Sequence, residues 1–140
     1  MVQRYDFLVI GSGIAGMSFA LKVAKQGRVA IVAKNSLEEA NTFYAQGGIA
    51  SVTNPWDNFE KHISDTLDAG GGLCDARVVE KVVREAPAQI KELISWGVDF
   101  DKDEMGNFDL HREGGHSEFR ILHHKDSTGA EIQVSLIDTI

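Results

Sequence analysis

The segment from Phe7 to Ala33 leaves this chain few folds to choose from. Phe7-Leu8-Val9-Ile10 is a short, wholly apolar run, as a parallel strand buried on both faces requires. Gly11-Ser12-Gly13-Ile14-Ala15-Gly16 interrupts it with the spacing G-x-G-x-x-G. Ile14, Met17, Leu21 and Ala24 then recur at helical spacing up to a stop at Gly27. Val29-Ala30-Ile31-Val32-Ala33 reads as a second buried strand. Strand, turn, helix and strand make one βαβ unit with a right-handed crossover, so the fold class is α/β and Rossmann-like. In that setting each glycine has a task. Gly11 permits the turn, Gly13 lets a pyrophosphate approach the backbone, and Gly16 lets the helix pack on the strand. The helix N-terminus supplies unpaired N–H groups and a positive dipole end for phosphates.

A nicotinamide-binding unit of this kind ends its second strand in an acid that grips the adenosine ribose. This chain has Lys34 there, which cannot accept a hydrogen bond. Lys34 suits an NADP 2′-phosphate or a flavin site that does without the acid. Residues 35–53 carry no sustained period and read as a long ordered loop, a feature usually tied to function.

Beyond the loop, Asn54-Pro55-Trp56-Asp57 predicts a helix start, and Phe59, Ile63 and Leu67 continue it toward Ala69-Gly70. Asp75 caps a further helix with Val78, Val79, Val82 and Val83 on its buried side; Pro87 breaks or bends it, and Ile90, Leu93 and Ile94 carry it to Gly97. Val98, Phe100, Phe108 and Leu110 around Asp103–Asn107 suggest a small hairpin. Thr128-Gly129-Ala130-Glu131 reads as a capping box for a last helix through Ile132, Leu136 and Ile140. Two confident parallel strands are too few for a finished doubly wound sheet. The 140 residues are expected to be part of a larger design.

Composition narrows the partners. A net charge of −7 argues against nucleic acid and anionic membrane surfaces, which are met by clustered Lys and Arg. The longest apolar runs fall far short of the roughly 20 residues of a membrane span, and no secretory signal is visible. With a single cysteine, Cys74, the expectation is a soluble cytoplasmic protein without an internal disulfide. His111, His116, His123 and His124 show no spacing of the zinc-knuckle kind, so no metal site is expected.

Two further segments carry chemistry. Asn41-Thr42-Phe43-Tyr44-Ala45-Gln46-Gly47-Gly48-Ile49-Ala50 mixes amides with a Gly-Gly pair, groups that let backbone approach a flat ring and bond its polar edge. Arg112-Glu113-Gly114-Gly115-His116-Ser117 sets a carboxylate among glycines. Together with the glycine turn and Lys34, these segments resemble the FAD-binding domain of the succinate dehydrogenase, fumarate reductase and L-aspartate oxidase superfamily. Within it they are most similar to the aspartate oxidases. Asp65-Thr66-Leu67, Gly97-Val98-x-Phe100, Arg120-Ile121-Leu122-His123 and Asp126-x-Thr128-Gly129 also read like the family, so the likeness spans the chain.

The resemblance implies that residues 1–140 are the amino-terminal part of one FAD-binding domain, with the capping domain and the remainder outside. It implies that Gly11, Ser12, Gly13, Ile14, Ala15 and Gly16 meet the FAD pyrophosphate. Lys34 then lies near the adenosine end or the phosphates, and Asn41, Thr42, Phe43, Tyr44, Ala45, Gln46, Gly47 and Gly48 run along the flavin. Asn41 stands where the covalently flavinylated dehydrogenases carry the flavin-linked histidine, and where an aspartate oxidase is expected to have serine. Asparagine cannot form that link, so the flavin is expected to be non-covalent. Glu113 has no counterpart in the dicarboxylate dehydrogenases. A carboxylate is the simplest way to tell L-aspartate from succinate, since the two differ by one ammonium group. The implied reaction is oxidation of L-aspartate to iminoaspartate, with oxygen or fumarate as acceptor. Its product feeds quinolinate synthesis in NAD biosynthesis, with quinolinate synthase as the protein partner to expect. The rival readings are a soluble fumarate reductase or succinate dehydrogenase flavoprotein, and a cofactor-free interaction domain on the same scaffold.

Overall fold

A computed structural model describes residues 2–140. The first strand, β1 (Phe7–Ile10), leads through the glycine turn into helix α1 (Ile14–Val23) and back to strand β2 (Val29–Val32). The two strands are parallel in the register Phe7↔Val29 to Ile10↔Val32, and Gly11 N–H extends the ladder to the Val32 carbonyl at 2.9 Å. Gly11 has φ +108°, a conformation L side chains rarely adopt. A methyl on Gly16 would overlap the Gly11 carbonyl and stand 3.2 Å from Val9 Cγ1. The close helix–strand approach read from the fingerprint is therefore real.

Burial of β1 and β2 on both faces is not observed. Leu8 is 65% exposed and Ile10 83%. Val9 is buried on the side that α1 covers, and among the described residues no layer packs on the opposite face of this two-stranded sheet.

The long loop holds turns and one short strand, β3 (Ile49–Ala50), unforeseen in the sequence. The next helix, α2 (Phe59–Ala69), begins later than expected. Asn54 Oδ1 accepts the N–H groups of Trp56 and Asp57, each at 2.9 Å, and so closes a side-chain turn; Asn58 is the cap, accepting from Lys61 N–H. The reason for the late start lies in Asp57, whose buried carboxylate is committed to Arg120.

Helix α3 (Ala76–Ser95) is capped by Asp75, as expected, but runs unbroken through Pro87. Its ends are tied down on either side of the proline: Arg84 pairs with Glu60 of α2 at 3.0 Å, while Ile90 and Leu93 enter the core. That anchoring offsets the roughly 3 kcal/mol an interior proline costs. The valine stripe is a second correction. Only Val83 of the four is buried; Val78 and Val82 are 57% and 61% exposed. The helix turns its core face to Val83, Ile90 and Leu93 and leaves the first turns of the stripe in solvent.

After the stop at Gly97 (φ +93°), Val98 and Phe100 dive into the core. A tight turn closes where the hairpin was expected, Asp103 N–H donating to Asn107 O at 2.8 Å with Gly106 at φ +85°. The two arms pair as expected through an antiparallel bridge at Lys102↔Phe108, and the returning arm then runs on into a further strand. Strand β4 (Leu110–His111) joins strand β5 (Ile121–Leu122), which also pairs β3, giving an antiparallel sheet ordered β3-β5-β4.

The last helix, α4 (Thr128–Thr139), forms on its expected residues but without a capping box. Thr128 Oγ1 accepts from His124 N–H, and Glu131 reaches out to Asp99 N–H at 3.0 Å. Both side chains bind neighbouring segments instead of their own helix end. The core collects Met17 of α1, Ile90 and Leu93 of α3, Val98, Phe100, Leu122, and Ile132 and Leu136 of α4.

Candidate flavin and substrate site

The glycine turn and the 41–48 loop, far apart in sequence, meet in the fold. Thr42 Oγ1 accepts the N–H of Ile14, the first residue of α1, at 3.0 Å. Gln133 of α4 is wholly buried and donates to Ser12 O at 2.7 Å and Leu37 O at 2.6 Å, tying both segments to one amide. Gly129 N–H donates to Ala45 O at 3.0 Å, and a methyl on Gly129 would overlap the Thr42 carbonyl. The start of α4 thus buttresses the loop with no room to spare.

Fit to a dinucleotide can be tested on the three fingerprint glycines. Gly11 is needed for its φ and Gly16 for packing, but a methyl on Gly13 would meet only Thr42 Oγ1, at an ordinary 3.5 Å. Nothing among the described residues requires glycine at 13. Its open side leaves room for the close approach of a pyrophosphate. The first turn of α1 holds no acid to compete with a phosphate. The residues present fit the pyrophosphate of FAD.

The rest of the loop is presented outward. Asn41, Tyr44, Ala45, Gln46, Gly47 and Gly48 are exposed, and Thr42 and Phe43 are half-buried. Phe43 and Tyr44 meet edge to face, and the Tyr44 hydroxyl donates to Glu39 at 2.9 Å, a bond that pushes its pKa up. Gly48 is pinned from behind, because a side chain there would strike Leu122 O and Ile121. Lys34 lies exposed, two residues past the end of β2.

The Arg112–Ser117 loop comes to the same place. Glu113 Oε1 stands 3.9 Å from where a Cβ on Gly47 would sit. The glutamate therefore adjoins the 41–48 loop. Arg112 lies over the Phe119 ring at 5.3 Å, and Gly115 takes φ +85° to turn the loop.

What holds that loop was not legible in the sequence. Ser117 gives both its N–H and its hydroxyl to Asp65 Oδ2, each at 2.8 Å. Arg120, with no exposed surface, donates to Asp65 at 2.6 Å and grips Asp57 through Nε and Nη2 at 2.8 and 2.9 Å. Burial pushes the Asp65 pKa up, but the bonds from Ser117 and Arg120 outweigh it and hold the carboxyl below its ordinary value. Arg120 is likewise desolvated, yet its two aspartates keep its pKa raised. The partners lie 55 and 63 residues away in sequence, so no local pattern announces the cluster. Arg120, Asp57, Asp65, Gln133 and Gly129 are the site-building residues that sequence reading did not assign. The one available signal was the family-like wording around Asp65, Arg120 and Gly129.

A cleft of about 700 Å³ lies between the Asn54–Trp56 turn and the Lys102–Leu110 arm. None of the flavin-loop residues lines it. The structure also gathers Asp109, His111 and His123, which linear spacing had kept apart.

Residues 6–140 match the family model described as an FAD binding domain. The chain belongs to the FAD-binding domain family. FAD is accordingly the cofactor of this domain, and the Rossmann-like reading of the fold holds. Among curated proteins, this FAD-binding domain is 52% identical over 138 residues to the chloroplastic L-aspartate oxidase of Arabidopsis thaliana, covering 99% of the chain and 21% of that protein. It is 49% identical to the L-aspartate oxidase of Vibrio cholerae, covering 97% of the chain and 26% of the relative. The chain thus spans about a fifth to a quarter of the length of the curated relatives it matches. Among solved structures, the E. coli quinol fumarate reductase FrdA superposes with a TM-score of 0.87 at 30% identity, over 96% of the chain and 24% of FrdA. The Mycobacterium smegmatis Sdh1 complex gives 0.86 at 36% identity, over 96% and 23%. Among the described residues no helix is long and apolar enough to cross a membrane.

Proposed function

We propose that this domain serves the oxidation of L-aspartate to iminoaspartate in a flavoenzyme with non-covalently bound FAD. The observation that carries the reading is the placement of Glu113 against Gly47, within a chain about half identical to L-aspartate oxidases along its length. When bound, FAD supplies the two-electron acceptor for the substrate's α-carbon hydrogen. The chain's own groups do the rest of what it contributes. The Glu113 carboxylate accepts hydrogen bonds from the aspartate ammonium and turns the α-carbon toward the loop. The start of α1, fixed in place by the Ile14 N–H bond to Thr42, and the open space at Gly13 receive the phosphates. Asn41 offers no ring nitrogen for a covalent link.

Oxygen or fumarate is the proposed acceptor, and quinolinate synthase the consumer of the product. The cytoplasm is the proposed compartment, supported by the lone cysteine; the plant relatives are named as chloroplastic. We read the 140 residues as the amino-terminal part of the FAD-binding domain. They supply one wall of the substrate pocket, and the chain by itself does not turn over. A measurable oxidase rate from the 140-residue chain would overturn that reading. The second reading, a fumarate reductase or succinate dehydrogenase type of flavoprotein, draws on the structural likeness to FrdA and Sdh1. Anaerobic mixing of the FAD-loaded full-length protein with L-aspartate, with succinate as control, separates the two. Flavin bleaching by L-aspartate and not by succinate is the expected result; bleaching by succinate alone selects the second reading.

A further inference from the structure

Next to the Arg112–Ser117 loop, the β4–β5 pair holds a group of side chains that the flavin site does not use. Leu110 faces Leu122 in the ladder, and beyond this pair the strands part around the Asp101 backbone. Asp101 N–H donates to His123 O at 2.9 Å, and Asp109 N–H donates to Asp101 O at 3.0 Å. The parting brings two carboxylates to the two sides of one imidazole. Asp101 Oδ2 lies 3.4 Å from His123 Nδ1, and Asp109 Oδ2 lies 3.8 Å from His123 Nε2.

His123 is only 7% exposed, yet neither ring nitrogen makes a hydrogen bond. A buried imidazole with two unpartnered nitrogens is costly unless something else engages it. His111 lies over it, the ring centroids 3.7 Å apart and the planes 22° from parallel. Asp109, His111 and His123 can each offer one ligand atom, all within 4.8 Å of one another.

We infer that Asp109, His111 and His123 form a binding site for a divalent transition-metal ion of the zinc class. The donor set of two imidazoles and one carboxylate suits such an ion and leaves a fourth position for water. The surroundings fit as well. With Nε2 of His123 on the metal, its Nδ1–H points at Asp101, the carboxylate that orients a ligating histidine from behind. Asp101 is itself held by Lys125 N–H at 2.7 Å. Tetrahedral coordination needs donor atoms about 3.4 Å apart, from bond lengths near 2.0–2.1 Å. Closing from 4.8 Å falls to Asp109 and His111, whose side chains are exposed and free to move, while His123 stays fixed. Two imidazoles on one ion diverge from it, so His111 leaves the stack when the metal binds. The bound ion clips β4, β5 and the Asp101 segment together at the root of the loop that carries Glu113.

The test is a Zn(II) titration of the full chain against a chromophoric chelator, with Co(II) as a spectroscopic probe of ligand number. The expected result is one equivalent bound, with visible Co(II) bands of a low-coordinate site and a shift of the His111 ring protons out of the stacked position. His111→Ala and Asp109→Asn change exposed side chains, so the fold survives, and each should weaken binding at least about tenfold. Asp126→Asn, an exposed acid elsewhere, should leave it unchanged. No stoichiometric binding overturns the inference, as does binding that ignores His111→Ala or falls equally with Asp126→Asn. The cluster would then be a stacked imidazole pair between carboxylates.

Discussion

Glu113 and Gly47 are neighbours: the glutamate's Oε1 stands 3.9 Å from where a methyl on that glycine would be. The contact joins a loop at residues 112–117 to one at 41–48, two segments that have no pairing in sequence. Under the proposed function it puts a carboxylate at the rim of the 41–48 loop, where a substrate ammonium would need one. Glu113→Gln in the full-length protein should therefore lower kcat/KM for L-aspartate about 10- to 100-fold, the worth of one charge-assisted hydrogen bond. FAD affinity should stay as it was. Steady-state kinetics with a flavin titration checks both, and an unchanged kcat/KM would remove Glu113 from substrate recognition.

Gln133 tests the coupling between α4 and the glycine turn. Gln133→Met keeps the volume but leaves Ser12 O and Leu37 O without their donor, at about 1–3 kcal/mol for each buried carbonyl. Weaker FAD binding, by about tenfold or more, and a lower Tm are the expected outcomes. Fluorescence titration showing wild-type affinity would mean that the turn holds its shape unaided.

Arg120 is the most consequential buried charge. Arg120→Met strands Asp57, which has no exposed side-chain surface, and should cost about 3–5 kcal/mol by urea unfolding. Adding Asp57→Asn and Asp65→Asn should recover part of that loss, because the uncompensated carboxylates go with it. A single variant as stable as the parent would show that the cluster does not hold the loop.

His62 makes stability depend on pH. Burial, and then the nearby Arg120 charge, lower its pKa from the ordinary 6.5. The unfolded chain therefore takes up a proton at a higher pH than the folded one. The contribution is complete above about pH 6.5 and is lost as pH falls through the lower folded value. Asp65, held below its ordinary 3.8, adds a second loss of the same sign in stronger acid. Thermal melts should show Tm falling from pH 7 toward pH 5, and His62→Gln should flatten that fall. A slope untouched by the substitution would assign it to other groups.

Much of the first third was legible from residues alone. β1 and β2 fall within a residue of their expected bounds and α1 starts at Ile14 as expected, though it ends at Val23, ahead of the expected stop at Gly27; an apolar run, a glycine turn and a helical period act through neighbours in sequence. Caps were legible where a side chain serves its own helix, as Asp75 does, and not where it serves another segment. Asn54 looked like a cap and closes a turn because Asp57 is drawn to Arg120. Thr128 and Glu131 have the spacing of a capping box and bind His124 and Asp99 instead. The valine stripe is apolar at helical spacing, but the packing surface available reaches only Val83.

The sequence by itself determined the βαβ start, the glycine fingerprint, the composition of the flavin loop and the presence of a glutamate among glycines. These are local properties, set by φ/ψ preference, side-chain size and donor inventory. Tertiary structure alone decided which of those segments meet. It set Thr42 on the first N–H of α1, drew Gln133 between Ser12 and Leu37, and brought Glu113 to Gly47. It also gathered Asp109, His111 and His123 where two strands part. Such meetings depend on how helices and a short antiparallel sheet close around one core. That closure is a sum over many distant contacts, and no stretch of residues carries it alone.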